Sequence, residues 1–80
     1  MKLENEILYY KPPCPYCQKV LAYMKRAGIE CEMRNILEGD LRDELVKVGG
    51  KGQVPCLVIN GEAMYESDDI IAYMKEKAEA

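Results

Sequence analysis

Two cysteines separated by two residues, Cys14 and Cys17, form the closest pair of thiols in this sequence of 80 residues. The sequence holds four cysteines and no histidine, which excludes Cys–His and Ser–His catalytic pairs, HExxH zinc sites and mixed Cys/His zinc fingers. Sulfur is therefore the reactive chemistry that remains. On a helix, residues three positions apart lie on the same side, so these two thiols can close a disulfide. The spacing predicts a catalytic thiol pair.

The segment around the first cysteine favours its ionised form. Cys14 is expected at the N-cap of a helix with Pro15 at its first position, where the missing N–H of proline costs nothing. The Cys14 sulfur can then accept from the N–H groups of Tyr16 and Cys17, and it lies at the positive end of the helix dipole. Lys11 can add to this effect. We expect Cys14 to be the nucleophilic thiolate and Cys17, in a more buried environment, to be the resolving thiol.

The remaining cysteines offer a competing interpretation, a four-cysteine zinc site. Only Cys31 and Cys56 are available as further ligands, and neither belongs to a second CxxC pair. Four-cysteine zinc sites usually present two close pairs. Each of these two cysteines is therefore predicted to be a small buried apolar residue in a strand, and no metal site is predicted.

The elements that position the pair alternate between strand and helix in one domain without a linker or repeat. Apolar spacing and turn signals predict an α/β protein of order β-α-β-α-β-β-α, a parallel βαβ half followed by a hairpin and a covering helix. Ser67 is expected to cap the last helix. The predicted strands cover 7–10, 30–36, 54–59 and 63–65, and the predicted helices cover 15–27, about 40–48 and 67–77.

Charge and hydropathy restrict the classes of binding partner and the cellular compartment that we expect for this protein. The net charge of −3 argues against nucleic acid as a partner. Residues 1–34 hold six basic and four acidic side chains, whereas residues 35–80 hold five basic and ten acidic ones. This asymmetry is either a solvated surface or a site for a zwitterionic ligand between the halves. No signal peptide and no membrane-length apolar run is present, which predicts a cytoplasmic protein with reduced cysteines. We also expect it to be a monomer.

Three motifs in register, Cys-Pro-Tyr-Cys at 14–17, Gln-Val-Pro at 53–55 and Ser-Asp-Asp at 67–69, together resemble the glutaredoxin family across residues 7–77. Residues 14–17, Cys-Pro-Tyr-Cys, resemble its dithiol signature, and Lys11 stands where the family commonly has a basic residue. Residues 53–55, Gln-Val-Pro, and residues 67–69, Ser-Asp-Asp, resemble its Val-Pro step and the start of its last helix.

A second resemblance covers overlapping residues. Tyr-Glu-Ser at 65–67 stands where glutaredoxins usually have Gly-Gly-Cys. Together with Gly-Gln-Val-Pro at 52–55, it is similar to the N-terminal thioredoxin-fold domain of glutathione S-transferases. Both relatives bind glutathione at the same place.

These resemblances imply a thioredoxin fold, a four-stranded mixed sheet flanked by three helices, with glutathione as co-substrate and no bound cofactor. They imply that the N-terminus of the last helix binds the γ-glutamyl carboxylate and that the backbone of Val54, beside a cis Pro55, pairs with the tripeptide. They also imply that Lys11, with Lys51 or Gln53, takes the glycine carboxylate. Tyr16 is expected to flank the sulfur, and Asp68 to hold the amine. The glutathione-binding residues so implied are Lys11, Tyr16, Gln53, Val54, Pro55, Ser67 and Asp68.

The implied activity is the glutathione-dependent reduction of disulfides, in proteins, in small molecules and in mixed disulfides of glutathione. Three other functions stay open. The protein could be a thioredoxin-like reductant recharged by a flavoprotein reductase, or an iron–sulfur carrier in which two chains share a cluster through Cys14 and glutathione. It could also be a redox-silent glutathione-binding module related to transferases, although Cys17 speaks against this.

Overall fold

A computed structural model describes residues 1–79, and its seven elements follow the predicted β-α-β-α-β-β-α order. The four strands form one mixed sheet of order β2-β1-β3-β4, in which β2 runs parallel to β1 and the other two pairings are antiparallel. The predicted α/β architecture is confirmed. The elements are β1 (Lys2–Tyr10), α1 (Pro15–Ala27), β2 (Glu30–Asn35), α2 (Leu41–Gly49), β3 (Cys56–Ile59), β4 (Glu62–Met64) and α3 (Ser67–Glu79).

The helices cover both faces of the sheet. Because neighbouring residues of a strand point to opposite sides, each strand contributes side chains to both helical layers. Leu8 of β1 joins a buried cluster with residues of α1 and α3, whereas the next residue, Tyr9, joins a second cluster with Leu45 of α2. Leu57 and Val58 of β3 divide between the two clusters in the same way. Two helices therefore pack on one face and α2 alone on the other.

The first strand is longer than its apolar run predicts. It begins at Lys2 rather than at residue 7, because Lys2 and Leu3 pair with the start of β2. The register then shifts between Leu3 and Ile7, and Asn5 adopts a positive φ of 63°. This bulge breaks the alternation of apolar and polar residues that marks a strand, so the sequence pattern hid it.

The bulge also buries a carboxylate. Glu6 is 7% exposed, and its Oε2 accepts a hydrogen bond from the Tyr73 hydroxyl of α3 at 2.9 Å. Its Oε1 has no hydrogen-bond partner among residues 1–79. Burial, followed by the neighbouring Glu6, raises the pKa of Tyr73 to about 12.

The other boundaries differ from the prediction by one or two residues. The second strand ends at Asn35 and the third begins at Cys56, after a proline that has no N–H to give to a sheet. The hairpin partner covers 62–64, and α3 continues to Glu79. Gly28 ends α1 as predicted, with a φ of 70° that favours glycine. Within residues 1–79, no helix has the length and apolarity needed to cross a membrane.

Candidate active site

The turn between β1 and α1 holds the first cysteine at the helix start. The Cys14 N–H donates to the Lys11 carbonyl at 3.2 Å, and the Cys14 carbonyl accepts the first helical hydrogen bond from the Gln18 N–H at 2.9 Å. Cys14 itself has extended φ and ψ values of −84° and 119°, as an N-cap residue does, and Pro15 opens the helix. The Gln18 side chain closes the turn by donating to the Pro12 carbonyl at 2.6 Å.

Four neighbouring groups favour the thiolate form of Cys14. Burial is the largest single influence on its pKa and opposes ionisation, since only 7% of the residue is exposed. The Cys17 N–H, 3.4 Å from Sγ, the Cys17 thiol, the Tyr16 N–H and the charge of Lys11 together outweigh burial. The net result is a Cys14 pKa below its ordinary value.

The second cysteine has the opposite character. Cys17 is fully buried, and burial is the main reason that its pKa is raised to about 11. Its hydrogen bond to the Cys14 sulfur and the nearby Cys14 charge raise the pKa further, because both favour the protonated thiol. Cys14 therefore has the lowered pKa of a nucleophilic thiol, whereas Cys17 stays protonated and can donate a hydrogen bond.

The loop before β3 forms a wall beside the nucleophile. The Val54–Pro55 peptide bond is cis, as the sequence resemblance implied. The Val54 carbonyl accepts from the Cys14 thiol with Sγ and oxygen 3.9 Å apart. Pro55 is buried, whereas Gln53 is exposed.

The start of α3 lies beside α1, but two of its residues are used differently from the prediction. The Ile70 N–H donates to the Glu66 carbonyl at 2.9 Å, and the helix begins at Ser67, so Glu66 occupies the cap position that was predicted for Ser67. Asp68 forms an ion pair with Lys19 of α1. The side chain of Asp68 is 79% exposed and that of Lys19 is 53% exposed. Sequence reasoning missed Lys19, because 49 residues separate it from Asp68 and no local pattern relates them.

The predicted basic and aromatic residues are only partly gathered at the thiol. Lys11 is half-buried and its charge acts on Cys14, and Tyr16 is 65% exposed next to it. The Lys51 ammonium lies over the ring of Tyr65, 4.8 Å from its centroid. The sequence resemblance assigned Lys51 to the glycine carboxylate of glutathione and did not predict this cation–π contact.

The other two cysteines lie in strands, as predicted. Cys56 is buried in β3, but Cys31 in β2 is only half-buried, because β2 is an edge strand of the sheet. Burial raises the pKa of each thiol to about 11. Among residues 1–79, the Cys, Asp and Glu side chains form no group of three or more arranged to hold a metal ion.

The mixed sheet, the helices on its two faces and the cysteine that caps α1 together define a thioredoxin-like α/β protein, as expected from the sequence. Residues 8–80 match the family described as "Glutathione S-transferase, N-terminal domain". The chain belongs to this family.

Individual relatives agree with this assignment. The chain is 37% identical over 71 residues to glutathione S-transferase D7 of Anopheles gambiae, covering 85% of this chain and 33% of that protein. Glutathione S-transferase 1-6 of Anopheles dirus has a similar structure, with a TM-score of 0.74 at 31% identity, covering 90% of this chain and 35% of that one. The chain thus spans about a third of the length of these transferases.

A glutaredoxin shares the fold. Glutaredoxin C1 of Populus tremula x tremuloides has a TM-score of 0.68 at 20% identity, covering 92% of this chain and 77% of that one. The resemblance to glutathione S-transferases, which Tyr-Glu-Ser at 65–67 carries, is confirmed, whereas the resemblance to glutaredoxins is confirmed for the fold alone.

Proposed function

We propose that this protein is a glutathione-dependent thiol–disulfide oxidoreductase that uses Cys14 as its nucleophile. The observation that carries the proposal is the Cys14 thiol, which caps α1 and has a lowered pKa. A thiolate at a helix N-terminus attacks disulfide sulfur efficiently at neutral pH, because the fraction ionised is high while the sulfur stays nucleophilic. Membership in a family of glutathione transferases supports glutathione as the second thiol.

The proposed reaction on a mixed disulfide needs only the first cysteine. The Cys14 thiolate attacks the glutathione-bearing sulfur, the S–S bond breaks, and the substrate leaves as a thiolate that takes a proton from water. Cys14 is then joined to glutathione. A second glutathione thiolate attacks the glutathione sulfur of this adduct, releasing oxidised glutathione and restoring the Cys14 thiolate.

On a protein disulfide the second cysteine takes part. Cys14 attacks and forms a mixed disulfide with the protein, and the Cys17 thiolate then attacks the Cys14 sulfur. This step releases the reduced protein and leaves a Cys14–Cys17 disulfide, which two glutathione molecules reduce. Cys17 must first lose a proton, and its burial, the main cause of its raised pKa, opposes this step at neutral pH. The site therefore favours substrates that glutathione itself can resolve.

Glutathione is proposed to lie between the α3 N-terminus and the loop before β3. The free N–H groups of Ser67 and Asp68 suit its γ-glutamyl carboxylate, because a helix N-terminus attracts anions. Its amine would replace Lys19 as the partner of Asp68. The main chain of Val54 suits pairing with the tripeptide. Lys11 and Gln53, with Tyr16 and Pro55 as flanking surfaces, complete the proposed site.

A second candidate is the transfer of glutathione to an electrophilic substrate, and the family assignment favours it. In that reaction the sulfur of glutathione attacks carbon, so Cys14 would act on the glutathione thiol rather than form a disulfide with it. The two candidates therefore differ in whether a covalent Cys14 adduct accumulates.

One set of assays separates these possibilities. The substrates are a glutathionylated peptide, a protein disulfide and chlorodinitrobenzene, each with glutathione, and for the protein disulfide also with a flavoprotein thioredoxin reductase. We expect reduction of the glutathionylated peptide, and an intact-mass adduct of one glutathione on Cys14 in the Cys17→Ser variant. Cys14→Ser should lower this reduction by at least about a hundredfold, because a hydroxyl does not ionise near neutral pH.

Cys31→Ser is the matched control, because it makes the same change in β2 at a thiol with a raised pKa. It should leave all rates within about twofold of the wild type. Full activity in Cys14→Ser would refute the proposal. Conjugation of chlorodinitrobenzene without disulfide reduction would establish the transferase instead, and activity with the flavoprotein reductase alone would establish a thioredoxin-like reductant.

A further inference from the structure

Tyr65, which is outside the set of site residues predicted from the sequence, connects the loop before β3 with the start of α3, the two segments that border the candidate site. The Tyr65 hydroxyl accepts from the Lys51 N–H at 3.2 Å and donates to the Lys51 carbonyl at 3.0 Å. A single side chain thus satisfies both main-chain groups of Lys51. The Lys51 ammonium folds back over the same ring at 4.8 Å. Lys51 is held by its backbone and by its side chain together.

The fit of this tyrosine requires a glycine at the end of α2. A Cβ on Gly49 would lie 2.0 Å from the Tyr65 hydroxyl oxygen and 2.9 Å from the ring carbon that bears it. Gly49 is the last residue of α2 and is not among the glycines with a positive φ, so its backbone does not itself require glycine. The space that the phenol occupies is what requires it.

Lys51 and Tyr65 each lie close in sequence to a segment that borders the Cys14 thiol or the proposed glutathione site. Lys51 lies in the loop 50–55, which also contains Val54, and the Val54 carbonyl oxygen is 3.9 Å from the Cys14 sulfur. Tyr65 stands between β4 and α3, two residues before Ser67. The contact between Tyr65 and Lys51 therefore fixes the loop relative to the start of α3, and glutathione is proposed to bind between these two segments.

We infer that Tyr65 is a positioning residue that holds loop 50–55 against the start of α3 and thereby sets the affinity for glutathione without changing the chemistry of Cys14. This inference rests on the proposed function. The two hydrogen bonds of the Tyr65 hydroxyl and the cation–π contact of its ring all go to Lys51, and none of these three contacts involves Cys14, Val54 or Ser67. Its removal should weaken the binding of glutathione and leave the thiol as reactive as before.

The main test is Tyr65→Phe, which keeps the ring and its contact with the Lys51 ammonium but removes both hydrogen bonds. We expect the KM for glutathione to rise about tenfold, because two hydrogen bonds to the loop are lost. The value of kcat should stay within about twofold, and the pH dependence of Cys14 alkylation should not move. Tyr73→Phe is the matched control, since it removes one tyrosine hydroxyl from a contact with Glu6. Its KM should equal that of the wild type.

A second variant tests the contact from the other side. Gly49→Ala should raise the KM at least as much as Tyr65→Phe, since the phenol must leave its position. The double variant should be no worse than Gly49→Ala alone, because the closest clash is with the hydroxyl that Tyr65→Phe removes. Multiplying effects in the double variant would show that the two residues act separately and would overturn the inference.

Amide hydrogen exchange tests the contact between Tyr65 and Lys51 in the protein without glutathione. The Lys51 amide should exchange at least about tenfold faster in Tyr65→Phe than in the wild type or Tyr73→Phe. Equal exchange in all three would overturn the contact itself. If the wild type lacked glutathione-dependent activity, the proposed function and the effect on affinity would both fail. If it were active but Tyr65→Phe and Tyr73→Phe had equal KM values, the positioning role alone would fail.

Discussion

The hydrogen bond from the Cys17 thiol to the Cys14 sulfur makes a sharp prediction about the nucleophile. Cys17→Ala removes this donor but keeps the Cys17 backbone N–H, which lies 3.4 Å from Sγ. Cys17→Ser keeps a donor at the same position. The alanine variant should therefore have a higher Cys14 pKa than the wild type, and the serine variant should not.

The size of the change follows from the kind of hydrogen bond. A hydrogen bond to a charged group contributes about 1.5–3 kcal/mol, and a thiol is a weak donor, so the lower end applies. Cys17→Ala should therefore cost the Cys14 thiolate about 1.5 kcal/mol of stabilisation, and the Cys14 pKa should rise accordingly. It should not rise further, since the N–H groups of Tyr16 and Cys17 and the charge of Lys11 remain.

The assay is the rate of alkylation by iodoacetamide as a function of pH. The rate rises as pH increases through the Cys14 pKa and then levels off, because only the thiolate reacts. Cys31 and Cys56, each with a pKa of about 11, stay protonated below pH 9 and contribute little. A Cys14→Ser variant supplies the remaining background.

The midpoint of this curve should move to higher pH in Cys17→Ala and stay near the wild-type value in Cys17→Ser. Identical midpoints in the wild type and Cys17→Ala would refute the role of the thiol hydrogen bond. Equal shifts in both variants would refute it as well, since a serine hydroxyl also donates.

Three further predictions concern single contacts. Lys19→Met should lower the KM for glutathione by up to about fivefold, because Lys19 no longer competes for Asp68 and an exposed ion pair contributes little; a higher KM would show that Lys19 assists binding. Tyr73→Phe should lower the free energy of unfolding in urea by about 1–3 kcal/mol, since buried Glu6 loses its donor; a variant as stable as the wild type would contradict this account of the bulge. Gly28→Ala should cost about 1–2 kcal/mol in the same measurement, because its φ is 70°, and Gly28→Asn should cost less; an alanine variant as stable as the wild type would contradict this account of the end of α1.

Sequence predicts those features of the site whose causes lie within one turn of chain. The extended conformation of Cys14, the first position of Pro15 and the donors to the sulfur all follow from residues 11–17. The lowered pKa of Cys14 follows from these local donors and from Lys11, whereas the raised pKa of Cys17 comes mainly from its burial in the folded protein.

Contacts between distant residues were beyond such reasoning. The pairing of Lys19 with Asp68 and of Tyr65 with Lys51 depends on how helices and loops pack on the sheet. The bulge around Asn5 was missed because a residue with positive φ and a buried glutamate do not produce strand periodicity. The position of Ser67 one residue inside α3 differs from the predicted cap, since Glu66 supplies the carbonyl that accepts the first hydrogen bond.

The starts of α1 and α3 lie side by side, and their positive ends oppose the charge of the chain. These 80 residues carry a net charge of −3, so an approaching anion is repelled at a distance and attracted only within the first turn of each helix. Salt at physiological concentration screens interactions beyond about 8 Å, which weakens the repulsion more than the attraction. Anionic thiols should consequently associate faster as ionic strength rises, the reverse of what electrostatic steering gives an enzyme whose overall charge attracts its substrate.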